Sequence, residues 1–237
     1  MKYYFYRLEG QANGKVSIAP EVDLFYWQKR GEQIVQMAET PSVGQAFAMA
    51  RDWGNRSSIL APWQEPLEEE EIAALRGQAA EIYALAAGRV LLWEELERLL
   101  HQYDKWPGSC RLRRALQWLG LAGMAEIRPA VRSTGPPVDW KCERCGYQGS
   151  LLRQTPCAKC GEKCVVCEHC LLLGRARTCF PLFVFQPLAA QRRVAPESLR
   201  DVALLTEAQT KTVAEIRANL GQNRQLLVWA VTGAGKT

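Results

Sequence analysis

Eight of the nine cysteines fall between Cys142 and Cys179, most of them in C-x-x-C pairs, and nothing else in the chain limits its fold as tightly. Residues 142–146 read C-E-R-C-G and residues 157–161 read C-A-K-C-G. In such a knuckle a tight turn aims two sulfurs and nearby backbone amides at one ion, and glycine takes the unusual dihedral after the second cysteine. Two knuckles give four thiolates, which suits tetrahedral Zn2+, so Cys142, Cys145, Cys157 and Cys160 are expected to form one site. Four cysteines leave no open position for water, and the role of such a site is structural. Cys164, Cys167, Cys170 and Cys179 offer a second set, so one or two zinc ions are expected. His169 replacing one sulfur, exchange of ligands between the sets, and retention of some cysteines as reduced core residues stay open. A Cys/His hydrolase with His169 as base is a further reading, set back because these cysteines are spaced as ligands.

The wider composition agrees with metal thiolates rather than disulfides. No apolar run approaches the roughly 18 residues that cross a bilayer, and the aromatic, charged start lacks the apolar core of an export signal. A cytoplasmic setting is expected. The net charge is +5, but residues 103–200 hold 16 Lys and Arg against 7 Asp and Glu. Each Zn(Cys)4 centre carries a formal charge of about −2, which Lys141, Arg144, Arg153, Lys159, Lys163, Arg175 and Arg177 can offset. The remaining surplus suits a polyanion, with salt-dependent and largely sequence-indifferent binding.

The expected fold class is α+β, in three regions. Residues 1–133 form a small α/β unit and a helical part. Residues 3–8, 16–18 and 24–27 are β-prone, and residues 41–53 suit a helix with Val43, Phe47 and Ala50 on one side. An acidic run, Glu68 to Glu71, starts an amphipathic helix carrying Ile72, Leu75, Ala79, Ile82 and Ala86. A second helix over residues 91–103 turns Leu92, Leu96, Leu99 and Leu100 inward. A third, over residues 111–121, does so with Leu112, Leu116 and Leu119. A strand over residues 124–131 carrying Arg128 follows, with Arg132 just beyond it. The order is winged-helix-like, and Arg111, Arg113 and Arg114 are candidates for DNA contact, against the plainer reading of a solvated helix face. Cys110 and His101 read as ordinary packing. Residues 133–137, S-T-G-P-P, read as a linker into a zinc-ribbon-like module over residues 134–186.

Residues 187–237 read as the first helix and strand of a RecA-like α/β motor domain. The apolar run over residues 225–231 suits a buried parallel strand and leads into T-G-A-G-K-T. Residues 230–237 fit a P-loop with alanine in first position. Gly233, Ala234 and Gly235 let backbone amides curl around phosphates, Lys236 neutralises them and Thr237 would hold Mg2+. Upstream, Thr206 and Gln209 have the spacing of a capping box. A functional reading of Gln209 is as a reader of the adenine edge.

The string A-V-T-G-A-G-K-T resembles motif I of superfamily 2 helicases, and L-T-E-A-Q resembles their glutamine motif. Together with the preceding cysteine block, C-E-R-C-G, C-A-K-C-G and C-V-V-C-E-H-C-L-L-L-G-R-A-R-T-C, the order resembles the ComFA family of late competence proteins over residues 139–237. That resemblance implies an ATP-dependent translocase that drives single-stranded DNA uptake in natural transformation. ATP and Mg2+ would serve the intact parent, and the place would be the inner face of the cell membrane by peripheral association. It also implies ComFC and DprA as partners. PriA-like primosomal helicases carry their cysteines after motif I, so their order differs. A zinc-dependent DNA-binding or scaffolding module without a motor is the alternative. The chain stops at Thr237, ahead of an acidic motif II and any arginine finger, so these 237 residues alone are expected neither to hydrolyse ATP nor to move DNA.

Overall fold

The computed structural model describes residues 2–52, 65–135, 139–171, 174–188 and 206–219. The chain divides into two units, Met1–Ala189 and Ala190–Thr237.

The first unit opens with a three-stranded antiparallel sheet, in the order β2-β1-β3, of β1 (Tyr3–Leu8), β2 (Lys15–Ser17) and β3 (Ile34–Thr40). The aromatic strand β1 takes the centre because both of its faces are apolar. Tyr3 and Phe5 join one core cluster, whereas Tyr4, Tyr6 and Leu8 join Ile34 and Met37 in another, the alternation a pleated strand imposes. Residues 24–27, β-prone in sequence, instead lie in helix α1 (Pro20–Gln28). Pro20 at the helix start and the acidic first turn, Glu21 and Asp23, favour helix initiation over local β propensity. Helix α2 (Val43–Arg51) follows, capped by the Ser42 side chain, which accepts from the Gln45 amide at 3.4 Å. It buries Val43, Ala46 and Ala50, with Phe47 half-buried.

Helix α3 (Glu69–Ala86) buries Ile72, Leu75, Ala79, Ile82 and Ala86, the set its 3.6-residue period demands, and its acidic start forms a capping box between Glu68 and Glu71. The next expected helix begins later. Residues 90–92 form β4 (Val90–Leu92), and α4 (Trp93–Gln102) then buries Leu96, Leu99 and Leu100. Helix α5 (Ser109–Leu121) buries Leu112, Ala115, Leu116, Gln117 and Leu119. Cys110 is exposed at its start rather than packed, and the exposed His101 stacks on Trp106 with ring centroids 4.9 Å apart.

Strand β5 (Ala125–Pro129) pairs with β10 (Pro181–Phe185), which also pairs with β4, giving an antiparallel sheet of order β4-β10-β5. Between β5 and β10 the chain leaves to build the cysteine module from two hairpins. These are β6 (Val131–Gly135) with β7 (Asp139–Cys142), and β8 (Leu152–Pro156) with β9 (Lys163–Cys167). Residues 133–135, read from sequence as linker, lie in β6. The module is thus an insertion in a sheet hairpin. Its entry and exit are tied where the Ala130 amide donates to Phe180 O at 2.9 Å.

The N-terminal unit packs through α1 on α5, around a buried carboxyl. Asp23 accepts from Tyr6 at 2.6 Å, Ser17 at 2.5 Å and Gln117 Nε2 at 3.0 Å, while Gln117 Oε1 accepts from the Ile18 amide. Burial raises the Asp23 pKa to about 7 against the hydrogen bonds that lower it. A raised carboxyl stabilises the folded chain most below the unfolded pKa near 4, and that contribution is lost as pH rises through about 7. Asp23→Asn is therefore expected to flatten the pH dependence of stability between about pH 4 and pH 7, where this group alone contributes a slope of about 1.4 kcal/mol per pH unit. Urea unfolding of both proteins across that window checks it, and parallel curves would contradict it.

Candidate metal centres

Both knuckles fold as their sequence implies. The Gly146 amide donates to Cys142 O at 2.8 Å and the Gly161 amide to Cys157 O at 2.9 Å, with φ of +75° and +73° at the two glycines. A side chain at either position would be strained. In each turn backbone amides point at the first sulfur, those of Arg144 and Cys145 at Cys142 and those of Lys159 and Cys160 at Cys157.

All eight cysteines of the cluster gather into two groups of four, but the grouping differs from the one expected. Cys142 and Cys145 join Cys167 and Cys170, and Cys157 and Cys160 join Cys164 and Cys179, with the four sulfurs of each group within 4.8 Å of one another. The reason lies in β9. Cys164 and Cys167 stand at two positions of one extended strand, where a rise of about 3.3 Å per residue separates them by about 10 Å. They therefore serve opposite ends of the module. The β8–β9 register sets Cys164 opposite Thr155, near the second knuckle, and Cys167 opposite Leu152. The signal was present in the sequence. Cys145 and Cys160 are each followed by glycine, whereas Cys167 follows the β-branched pair Val165 and Val166 and precedes Glu168.

The geometry suits tetrahedral thiolate coordination. Cys142 and Cys170 sulfurs lie 3.8 Å apart, Cys145 and Cys167 3.7 Å, Cys157 and Cys179 3.7 Å, and Cys160 and Cys164 3.3 Å. Zinc–sulfur bonds of about 2.3 Å arranged tetrahedrally require sulfurs about 3.8 Å apart, whereas a disulfide requires about 2.05 Å. Seven of the eight are buried, Cys145 being half-buried. Burial pushes the Cys142 and Cys179 thiols far above their usual range, and drives Cys170 up to about 11. At Cys157 burial acts the same way but is outweighed by backbone amides and Arg177, leaving it at about 6. A dication placed among four such sulfurs resolves the conflict by compensating all of them together.

His169 joins neither group. It stacks on Tyr147, with centroids 4.7 Å apart and planes 12° apart, and hydrogen-bonds to Cys145. The surrounding cations hold the module in place. Arg144, inside the first knuckle, pairs with Glu95, and Lys159, inside the second, lies 3.6 Å from Glu94. Both knuckles thus face the N-terminus of α4, where Glu95 also accepts from the Leu92 amide at 2.8 Å. Arg177 Nη1 donates to Cys157 Sγ at 3.5 Å. Next to Cys179, Thr178 O accepts from the Gly44 amide at 3.1 Å, so the second group is also tied to α2. A Cβ on Gly44 would sit 2.7 Å from that oxygen.

The arginines singled out in α5 are arranged otherwise. Arg114 pairs with Glu21 at 2.9 Å and Glu71 at 3.6 Å, serving the packing of α5 on α1 and α3, while Arg111 is exposed and Arg113 half-buried. In the second unit, Gln209 lies on α6 (Glu207–Asn219). Its side chain accepts from the Thr206 amide at 2.9 Å and its amide donates to Thr206 Oγ1 at 3.4 Å, which is the capping box. The expected strand over residues 225–231 and the P-loop residues Gly233, Ala234, Gly235, Lys236 and Thr237 lie outside the described residues.

The grouping has a direct test. Cys142→Ser with Cys167→Ser is expected to remove one zinc equivalent from the purified chain, and Cys142→Ser with Cys157→Ser to remove both. Elemental analysis after gel filtration distinguishes this from the sequence-based grouping, which requires the reverse.

Residues 79–184 match the family model of the competence protein ComFA N-terminal domain. That span runs from the middle of α3 to β10 and takes in both cysteine groups. No curated protein and no solved structure matches the chain.

Proposed function

This chain carries the N-terminal domain of the ComFA competence proteins, and from that premise we propose that it is the metal-stabilised front of an ATP-dependent translocase that drives uptake of single-stranded DNA in natural transformation. The observation that carries this reading is the order of its parts. A cysteine module whose sulfurs fit two Zn2+ lies inside the matched span, and a P-loop sequence follows it.

The fold supports a nucleic-acid role. Helix α3, strand β4, helices α4 and α5, then β5 and β10 with β10 between the other two, is the connectivity of a winged helix, and the cysteine module occupies the place of the wing. Cys142, Cys145, Cys167 and Cys170 would hold one Zn2+, and Cys157, Cys160, Cys164 and Cys179 the other. Four thiolates close each coordination sphere, so the metal supplies rigidity and no hydrolytic chemistry. In the motor, Gly233, Ala234, Gly235, Lys236 and Thr237 would hold the nucleotide phosphates and Mg2+. Gln209 would read adenine only after giving up its bond to Thr206. No described helix is long and apolar enough to cross a membrane, and contact with the membrane's inner face would be peripheral. ComFC and DprA are the partners this reading supplies.

Lys236→Ala, introduced into the gene of a naturally transformable host, is expected to lower transformant yield to that of a deletion strain. Unchanged yield would contradict the motor role. The purified Lys236→Ala protein should still bind single-stranded DNA, because the variant leaves the front module intact.

A further inference from the structure

A winged helix ordinarily presents its last helix to a duplex groove, but much of α5 is engaged within the fold. On one side Arg114 pairs with Glu21. On the other the Tyr26 hydroxyl donates to Leu121 O at 2.9 Å, its ring meets Trp118 edge-on, and Gln117 is locked to Ile18 and Asp23. Of the three arginines at its start only Arg111 is exposed.

A cleft of about 1130 Å3 lies between the N-terminal sheet unit and the cysteine module, with the C-terminal end of α5 and strand β5 also lining it. That exceeds the range of about 300–1,000 Å3 usual for small-molecule sites. From the N-terminal side it is lined by Lys15, Trp27, Phe47 and Arg51, and opposite them by Arg128 of β5 and Arg132, Trp140 and Lys163 of the module. The three aromatic side chains are half-buried. Lys15 lies 4.9 Å from the Trp27 ring, and neither Lys15 nor Lys163 makes an ion pair among the described residues.

Acidic groups also line the cleft, and most are already engaged. Glu143, its side chain 7% exposed, accepts from Arg132 at 2.7 Å and Arg128 at 3.3 Å, and Glu126 is bound to Arg128. Glu143 thus fixes two guanidinium groups on the cleft wall. Asp23 is buried in its own hydrogen bonds, and Glu162 is the acid left without an ion pair among the described residues. Among the described residues no cluster of nucleophile and base lines this space, so its groups suit binding rather than reaction.

Cations and aromatic side chains lining one open cleft are what a single strand needs. Phosphates meet the charges, and bases exposed by the lack of a complementary strand stack on the rings without regard to sequence. We propose that this cleft is a track for single-stranded DNA, held open by the metal-stapled module on one side and the β2-β1-β3 unit on the other. The proposal rests on the DNA-uptake reading and locates the strand within it.

Anisotropy of fluorescein-labelled oligothymidylate, titrated with the zinc-loaded chain, tests it. Lys15→Ala with Lys163→Ala is expected to weaken binding and to reduce the slope of log affinity against log salt by about 1.4, from about 0.7 per phosphate contact. Trp140→Ala is expected to weaken binding about fivefold or more and Trp140→Phe to restore most of it. Zinc content and circular dichroism verify folding, and Phe47→Ala provides a second stacking variant that lies away from the cysteines. Arg111→Ala, on the exposed start of α5, should leave affinity unchanged. Parent-like binding by the cleft variants, a loss confined to Arg111→Ala, tighter binding of the matched duplex, or no binding by the parent chain would each overturn the proposal. None of these bears on the DNA-uptake reading, which stands or falls on transformant yield.

Discussion

The architecture depends on thiolates that cross between the two halves of the cysteine module. Each knuckle contributes two sulfurs, and β9 sends Cys164 to one knuckle and Cys167 to the other. A metal ion at either site would thus clamp the same strand at one of its ends. Loss of one ion would release β9 from that end and strain the register with β8 that aligns the other. The consequence reaches beyond the module. Cys179 stands just before β10, the central strand of the β4-β10-β5 sheet, so the second site fixes where the chain re-enters the helical core. Small modules rich in loops commonly rely on metal in this way, because their apolar area does not offset the entropy of ordering them.

Charge in this region does more structural work than its excess suggests. Arg144 and Lys159 seat the knuckles on Glu95 and Glu94, Arg177 faces a thiolate, Arg114 joins three helices, and Arg128 with Arg132 shares Glu143. A basic stretch read from sequence as surface for a polyanion is thus partly committed to internal contacts. The cations left facing the cleft without an ion pair among the described residues, Lys15 and Lys163, are 148 positions apart in the sequence. Only folding brings them to one space.

Helix α3 was legible to the residue, since five apolar positions at helical spacing leave one solution. The knuckles were legible for the same reason, with glycine marking each turn. Where local signals competed, the reading failed. The aromatic run over residues 24–27 favours a strand, and Pro20 with its acidic neighbours makes it helix. Residues 90–92 continue a helical pattern, and pairing with β10, some 90 positions away, makes them a strand. The partition of cysteines stayed open to exchange between the sets because C-x-x-C has the same spelling in a turn and in a strand, with opposite consequences for chelation. Strand β3 and the buried Asp23 network were missed altogether, the latter because a carboxyl in an amphipathic segment looks like any exposed acid until Gln117 and Tyr6 close over it.

The interleaving of the two sites can be observed directly by substituting 113Cd for zinc and correlating each cadmium with cysteine β-protons by NMR. Two cadmium resonances in the four-thiolate range are expected, one coupled to Cys142, Cys145, Cys167 and Cys170 and the other to Cys157, Cys160, Cys164 and Cys179. A single resonance, or one cadmium coupled to both knuckles together, would contradict the interleaved architecture.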